Sequence, residues 1–193
     1  MNRMNTADPT LKLIPEDDVP VLSPDAFKSA FRSHPAGVAI VTADAGNGPV
    51  AMTVTSVFSV SAEPPLLVFS ASAHSSSTPT ICAADTVVVH IPGADQVALA
   101  KLAATSGSNR FPDGLWVRLP TGEPVYPAAH AWIRGRIVNR LEAGTSTLFV
   151  VEALNASAPG PDTDEADARV ARPLVYHNRT WHVLDDASKL EAS

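Results

Sequence analysis

The sequence predicts a mainly β fold, a closed or split antiparallel barrel with short connecting helices, and three observations support this prediction. Six or seven short segments are apolar and rich in β-branched residues, a composition typical of strands. Gly, Pro and Asn separate most of them at short intervals, as turns between antiparallel strands do. The helical segments between them are too few for the strict strand–helix alternation of a parallel sheet.

The composition limits the possible function classes. The 193 residues fit one domain, and the 45% apolar content allows a sizeable core. The net charge of -6 argues against a nucleic-acid partner. No apolar run approaches the roughly 20 residues of a membrane span, and the N-terminus lacks a signal core, so we expect a cytoplasmic protein without a membrane partner. The single cysteine, Cys82, excludes an internal disulfide, and the scattered histidines predict no metal site.

The N-terminal part begins with an irregular segment. Residues 1–22 are polar and contain proline, so they are predicted to form an arm. A short amphipathic helix should follow over 23–34, because Ser23 can cap it and Pro24 suits its first turn. GVAIVTA (37–43) and the segment 50–57 are predicted to pair as a hairpin across a glycine turn.

The remaining elements are predicted in chain order from the same kinds of signal. They are a strand LLVFSAS after the break at Glu63-Pro64-Pro65, a helix capped by Ser77 or Thr78, a central strand TVVVHI, a helix over 93–105, a loop-rich stretch over 106–127, two long strands AWIRGRIVNRL and TLFVVEALNA, a surface insertion over 156–171, and a hairpin turning at Asn178-Arg179.

One long stretch carries almost no fixed charge. Between Arg32 and Lys101 there is no Lys or Arg, and from Pro49 to Ile81 the only fixed charge is that of Glu63. This stretch contains TVTSVFSVS and SASAHSSSTP, both dense in Ser and Thr. Along an extended TVTSVFSVS, Thr53, Thr55, Ser59 and Ser61 fall on one face, whereas Met52, Val54, Phe58 and Val60 fall on the other, with Ser56 among them.

Such hydroxyl-rich segments suit a particular kind of ligand. Each hydroxyl donates one hydrogen bond and accepts two, and a helix start near Ser77 adds amide donors that favour a phosphate. The two segments are therefore predicted to hold a phosphorylated heteroaromatic cofactor without a cation. Either segment alone is more often an ordinary sheet surface, but the two together favour a binding site.

Several motifs resemble the flavin reductase-like family, which has the FMN-binding split-barrel fold. They are FRSHPAGVAIVTA, AMTVTSVFSVSAEPPLLVFSASAHSSSTPTI, NRF and GEPVYPAAHAWIRGRIV, in an order that matches from about Ala26 to Leu184. The resemblance implies a homodimeric, six-stranded, Greek-key-like antiparallel barrel over 23–185, followed by a tail over 186–193. It also implies binding of FMN or FAD near the dimer interface, its reduction by NADH or NADPH, and delivery of reduced flavin to a separate monooxygenase.

The resemblance further implies the cofactor-binding residues. Contacts with the flavin ring and its edge are expected from Met52, Thr53, Val54, Thr55, Ser56 and Ser59, contacts with the ribityl chain and phosphate from Ser70, Ala71, Ser75, Ser76, Ser77 and Thr78, and further contacts from Asn109, Arg110, Phe111 and Ser146.

Two positions depart from the family pattern. His74 stands in the phosphate segment where a basic residue is common, and Gly144-Thr145-Ser146 replaces Gly-Asp-His, whose His lies near the nicotinamide in some relatives. A serine can bond a carboxamide but is no acid or base near neutral pH, so no proton-transfer catalyst is predicted. Two alternatives follow: a flavin-binding electron carrier or store without efficient NAD(P)H oxidation, and a barrel that has lost flavin and serves as an interaction module.

Overall fold

The computed structural model describes residues 21–157 and 172–190. Most of the predicted N-terminal arm, the predicted insertion from residue 158 to 171, and the last three residues of the tail lie outside the described residues. The helices are α1 (Pro24–Arg32), α2 (Thr78–Ala83) and α3 (Val97–Ala104). The strands are β1 (Ala36–Gly37), β2 (Ala39–Ala43), β3 (Val50–Val54), β4 (Phe58–Ala62), β5 (Pro65–Ser72), β6 (Thr86–Ile91), β7 (Val117–Arg118), β8 (Pro124–Val125), β9 (Ala131–Ala143), β10 (Ser146–Ser157), β11 (Leu174–His177) and β12 (Thr180–Val183).

The main sheet explains how the barrel closes. Its strand order is β3-β2-β6-β9-β10-β5-β4, with antiparallel pairs throughout. β3 and β4 are consecutive in the chain, yet they form opposite edges of this sheet. Only residues 55–57 join them, and such a link spans at most about 14 Å between its flanking Cα atoms. The two edges must therefore lie close together, which curls the sheet into a barrel split between them.

This arrangement corrects one prediction and confirms the fold class. TVTSVFSVS is not one continuous strand, because the chain leaves one sheet edge after Val54 and joins the other at Phe58. Met52 and Val54 are accordingly buried, whereas Phe58 and Val60, predicted on the same face, are exposed. The division also accounts for seven strands in place of six. The mainly β antiparallel barrel with short connecting helices is otherwise as predicted, as are the β2–β3 and β11–β12 hairpins.

Apolar side chains fill the barrel interior. Phe69 of β5 and Phe149 of β10 are fully buried and stack with ring centroids 4.9 Å apart. A second cluster covers the outside of the wall, where α3 contributes Leu99 and Ala100. β2 lies between the two clusters, so all five of its residues are buried. β6 pairs with β2 and β9, in the central position predicted for TVVVHI.

The first helix begins as predicted, but it buries none of its side chains. In α1, the Ser23 hydroxyl accepts a hydrogen bond from the Ala26 amide at 3.3 Å, and Pro24 is the first helical residue. No side chain of α1 is buried, and the rings of Phe27 and Phe31 contact each other at a tilt on its exposed apolar stripe, with centroids 4.7 Å apart. None of the helices within the described residues is long and apolar enough to cross a membrane.

Candidate functional site

The link between β3 and β4 is held by one serine side chain. Ser56 Oγ donates to the Ser70 carbonyl at 3.2 Å and accepts from the Ser70 amide at 2.9 Å. These two bonds tie the link to β5 in the same way that a strand neighbour would. Ser56 and Ser70, both predicted to contact the cofactor, are thereby brought together at the split in the barrel.

Three other predicted hydroxyls are engaged in holding the fold. Thr53 Oγ1 donates to the Ala100 carbonyl of α3 at 2.6 Å, and Thr78 Oγ1 donates to the Ser72 carbonyl at 2.7 Å. The buried Ser77 Oγ donates to the Ala51 carbonyl at 2.8 Å, so it makes no capping bond to α2. Each of these donor hydrogens is already used inside the protein.

A second group of predicted hydroxyls is free to meet a ligand. Among the predicted site hydroxyls, those of Thr55, Ser59, Ser70, Ser76 and Ser146 make no hydrogen bond within residues 21–157 and 172–190. Thr55, Ser59 and Ser76 are also exposed to solvent. Alternation along a strand predicts the face on which a hydroxyl lies. Whether that hydroxyl is bonded within the protein or free depends on which carbonyl lies opposite it.

The apolar residues among the predicted contacts point away from solvent. Met52, Val54 and Ala71 are buried in the cluster that fills the barrel. Phe111 packs outside the wall, where its ring stacks on that of Tyr126 with centroids 5.6 Å apart. Their side chains stabilise the barrel and the wall, so a ligand at the first three positions would meet only backbone groups.

The segment before α2 uses several of its own amides. The His74 amide donates to Ser72 Oγ, the Ser77 amide to Ser75 Oγ, and the Thr78 amide to the Ser75 carbonyl. The turn is therefore rigidly bonded within itself. The exposed hydroxyl of Ser76 makes no hydrogen bond within the described residues, so it remains available to an anion.

Arg110 joins three separate parts of the chain. Its Nη1 donates to the Ala51 carbonyl at 2.6 Å and to Ser77 Oγ at 2.7 Å, and its Nε and Nη2 donate to the Thr105 carbonyl. The Tyr126 hydroxyl donates in turn to the Arg110 carbonyl at 2.7 Å. Burial raises the pKa of Tyr126, so this phenol stays protonated and keeps its donor. Arg110 thus positions the Ser77 turn.

The Gly144-Thr145 turn lies beside the same serine-rich segment. Ser146 is opposite Ser72 in the β10–β5 register, and the Ala73 amide donates to the Thr145 carbonyl at 2.9 Å. Gly144 has φ of 61°, a conformation that glycine adopts without strain. The structure therefore brings Ser146 to the serine-rich segment, although they are far apart in sequence.

A groove of about 810 Å³ opens beside the β3–β4 link. Thr55 and Ser56 lie on it, together with the aromatic side chains of Phe31, Phe58 and Tyr176. Our sequence analysis did not place α1 or the closing hairpin at the site. The signal in the sequence that could have placed α1 at the site was its apolar stripe. A packed helix would bury this stripe, whereas α1 exposes it.

These residues fit the flavin implied by the sequence resemblance. Flat aromatic walls suit a tricyclic ring, and the unpaired Thr55 hydroxyl offers the ring edge a hydrogen bond. Ser76 and Ser70 provide further free hydroxyls for a ribityl chain and phosphate. The site therefore has the donor set of a flavin site, with fewer free hydroxyls than the sequence suggested.

Comparisons with known proteins identify the family of this chain. The family model for the flavin reductase like domain matches residues 31–185. The chain is 38% identical over 175 residues to the NADH:FMN oxidoreductase of Rhodococcus qingshengii, covering 90% of this chain and 88% of that protein. It is 31% identical over 159 residues to the reductase component of the FADH2-dependent resorcinol hydroxylase of a Rhizobium species, covering 80% and 84%.

A solved structure supports the same assignment. The flavin reductase domain protein from Arthrobacter sp. FB24 matches with a TM-score of 0.76 and 33% identity, over 87% of this chain and 98% of that protein. Sequence and fold thus agree, and the chain belongs to the flavin reductase like family.

Proposed function

We propose that this protein is a flavin reductase, which transfers a hydride from NADH or NADPH to FMN or FAD and supplies reduced flavin to a partner monooxygenase. The observation that carries the proposal is the unpaired Thr55 hydroxyl in an aromatic-walled groove, in a chain whose relatives include an NADH:FMN oxidoreductase. A cytoplasmic location is part of the proposal, because reduced nicotinamide nucleotides are available there.

The chain contributes mainly binding and orientation to this reaction. Thr55 would bond the edge of the flavin ring, while Ser70 and Ser76 would bond its ribityl and phosphate oxygens. The bound flavin supplies the hydride acceptor, so the protein needs no nucleophile of its own. Bringing the two rings to reacting distance supplies most of the rate advantage.

Ser146 is the candidate contact for the nicotinamide. Its unpaired hydroxyl lies next to the serine-rich segment, where it can donate to a carboxamide oxygen. Because a serine does not titrate near neutral pH, hydride transfer here would proceed without a side-chain acid or base at this position. This departure from the family pattern is what favours the second candidate, a flavin-binding electron carrier.

Turnover measurements distinguish these functions. We expect NADH consumption at 340 nm to require added FMN or FAD, and each flavin should be paired with each nicotinamide nucleotide. Flavin binding without turnover of either nucleotide would leave the carrier. A failure to bind any flavin would leave only the interaction module.

Two threonines provide a matched test of the site. Thr55→Val should weaken FMN binding by about 5- to 10-fold and leave stability unchanged, because it removes an unpaired donor. Thr53→Val should leave FMN affinity unchanged and lower the free energy of unfolding by about 1 kcal/mol, since it removes the bond to Ala100. Flavin fluorescence titrations and urea unfolding measure both quantities. Equal FMN affinity in the wild type and Thr55→Val would contradict the assignment.

A homodimer is part of the proposal. β4 is an edge strand of the sheet, and its Phe58 and Val60 side chains are exposed by 57% and 53%. Exposed apolar side chains on an open strand edge favour pairing with a second chain. A second copy over β4 would also lie beside the groove that Phe58 lines.

The dimer is testable with two matched valines. Val60→Asp should shift the protein towards monomer by at least about 10-fold in Kd, because it buries a charge in the interface. Val117→Asp is the control, since Val117 of β7 is similarly exposed, at 50%, but lies outside the barrel edge. Light scattering during gel filtration gives the mass of each. A monomeric wild type, or equal behaviour of the two variants, would contradict the dimer.

A further inference from the structure

The groove beside the β3–β4 link has a positively charged rim. Lys28 and Arg32 of α1 and Arg179 of the β11–β12 turn are among the residues that line it. The residues that line the groove include no Asp or Glu. This is a local excess of positive charge in a protein with a net charge of -6.

Two of these cations have no partner in the described structure. Lys28 pairs with Asp25, 3.7 Å away, within the same helix. Arg32 and Arg179 are exposed, and neither side chain makes a hydrogen bond or an ion pair within residues 21–157 and 172–190. Their guanidinium groups are therefore available to an anion from solution.

The backbone at Arg179 is unusual for an arginine. Asn178 and Arg179 both have positive φ, 48° and 62°, as a tight two-residue hairpin turn requires. Asn tolerates this conformation, whereas it is uncommon for a long side chain such as Arg. The turn places Arg179 at the tip of the hairpin, on the groove, where a glycine would be the less strained residue.

The other residues of the groove indicate which kind of anion the two arginines would bind. Phe31, Phe58 and Tyr176 provide apolar walls, and Thr55 provides the hydroxyl assigned above to the flavin ring. The flavin phosphate is assigned elsewhere, to the serine-rich segment before α2, whose residues do not line the groove. The free arginines therefore match a second phosphorylated substrate that must lie against the flavin ring.

Resting on the proposed function, we propose that Arg32 and Arg179 bind the pyrophosphate of the nicotinamide nucleotide. Guanidinium groups match phosphate oxygens in geometry and keep their charge at all working pH values. Two free arginines from separate elements, both lining one groove, suit the two phosphates of a dinucleotide. They would hold the nucleotide while its nicotinamide ring reaches the flavin.

The double variant Arg32→Gln/Arg179→Gln tests this assignment by binding as well as by turnover. We expect its Kd for NADH, measured by nucleotide fluorescence without flavin, to rise at least about 10-fold. Its Kd for FMN, measured by flavin fluorescence, should stay within about twofold of the wild type. Raising NaCl from ~50 to ~300 mM should weaken NADH binding in the wild type and much less in the variant.

The controls separate this inference from the proposed function. Arg136→Gln removes an exposed arginine that pairs with Glu152 on the sheet, and it should change neither Kd. Arg32→Gln alone provides a variant with the Arg179 turn intact. A loss of FMN affinity with NADH affinity unchanged would assign the rim to the flavin phosphate and overturn the inference, as would no change in either. A wild type that binds FMN but not NADH would overturn the reductase as well.

Discussion

Acidification from pH 7 to pH 4 should lower the free energy of unfolding by about 3 kcal/mol through one buried histidine. His90 of β6 is fully buried between β2 and the loop that follows β8. Its Nδ1 donates to the Ile40 carbonyl at 3.0 Å, and its Nε2 accepts from the Tyr126 amide at 3.0 Å. The neutral imidazole therefore makes a hydrogen bond with each neighbour. A proton on Nε2 would point at the Tyr126 N–H, which is also a donor, and that hydrogen bond would be lost.

The direction of the pH effect follows from the pKa. Burial lowers the pKa of His90 from 6.5 to about 4, although its bond to Ile40 partly opposes this shift. Between these values the unfolded chain binds a proton that the folded protein does not, so stability is complete above pH 6.5 and falls towards pH 4. Burial alone would raise the pKa of Glu123, but hydrogen bonds from Arg134, Thr121 and Thr86 lower it to about 2. A second loss is therefore expected between pH 4.5 and 2.

Urea unfolding at several pH values checks the contribution of His90. The variant His90→Gln keeps a donor and an acceptor but does not titrate. It should be less stable than the wild type at pH 7, and the difference between the two proteins should shrink by about 3 kcal/mol as the pH falls to 4. Because the wild type and the variant share all other titratable groups, the pH dependence of this difference gives the contribution of His90 alone. A constant difference across this range would contradict the assignment.

Removing the Arg110 guanidinium should cost about 2 to 4 kcal/mol of stability, since it bonds two carbonyls and a hydroxyl on three segments. Arg110→Met keeps much of the apolar stem and leaves these acceptors without their donor. FMN binding should weaken too, because Ser77 would lose one of the bonds that holds the turn beside Ser76. Thermal unfolding and FMN titration measure the two effects.

Arg118 provides the matched control. It pairs with Asp44 at 2.6 Å, and its side chain is 43% exposed. Because the Arg118 side chain is exposed and Asp44 keeps hydrogen bonds from the Gly46 and Gly48 amides, Arg118→Met should lower stability by no more than about 1 kcal/mol and leave FMN affinity unchanged. Similar losses in the two variants would show that Arg110 acts as an ordinary surface residue.

The local pattern of the chain was enough to predict the architecture. β-branched segments bounded by Gly, Pro and Asn predicted the hairpins, including the turn at Asn178-Arg179. Ser23 and Pro24 predicted the start of α1, and the motifs around TVTSVFSVS identified the family. These features depend on neighbours within a few residues, and such interactions are recorded directly in the sequence.

Only the tertiary structure decided which of the predicted groups are free to act. Thr53 and Thr55 look equivalent in the sequence, but the Ala100 carbonyl, 47 residues away, engages the first and leaves the second unpaired. The break at 55–57 likewise depends on the bonds of Ser56 to Ser70. The groove is lined by α1 and the closing hairpin together with this link. Alternation determines the face a side chain occupies, but its hydrogen-bond partner comes from a distant strand or helix, which only the folded chain brings near.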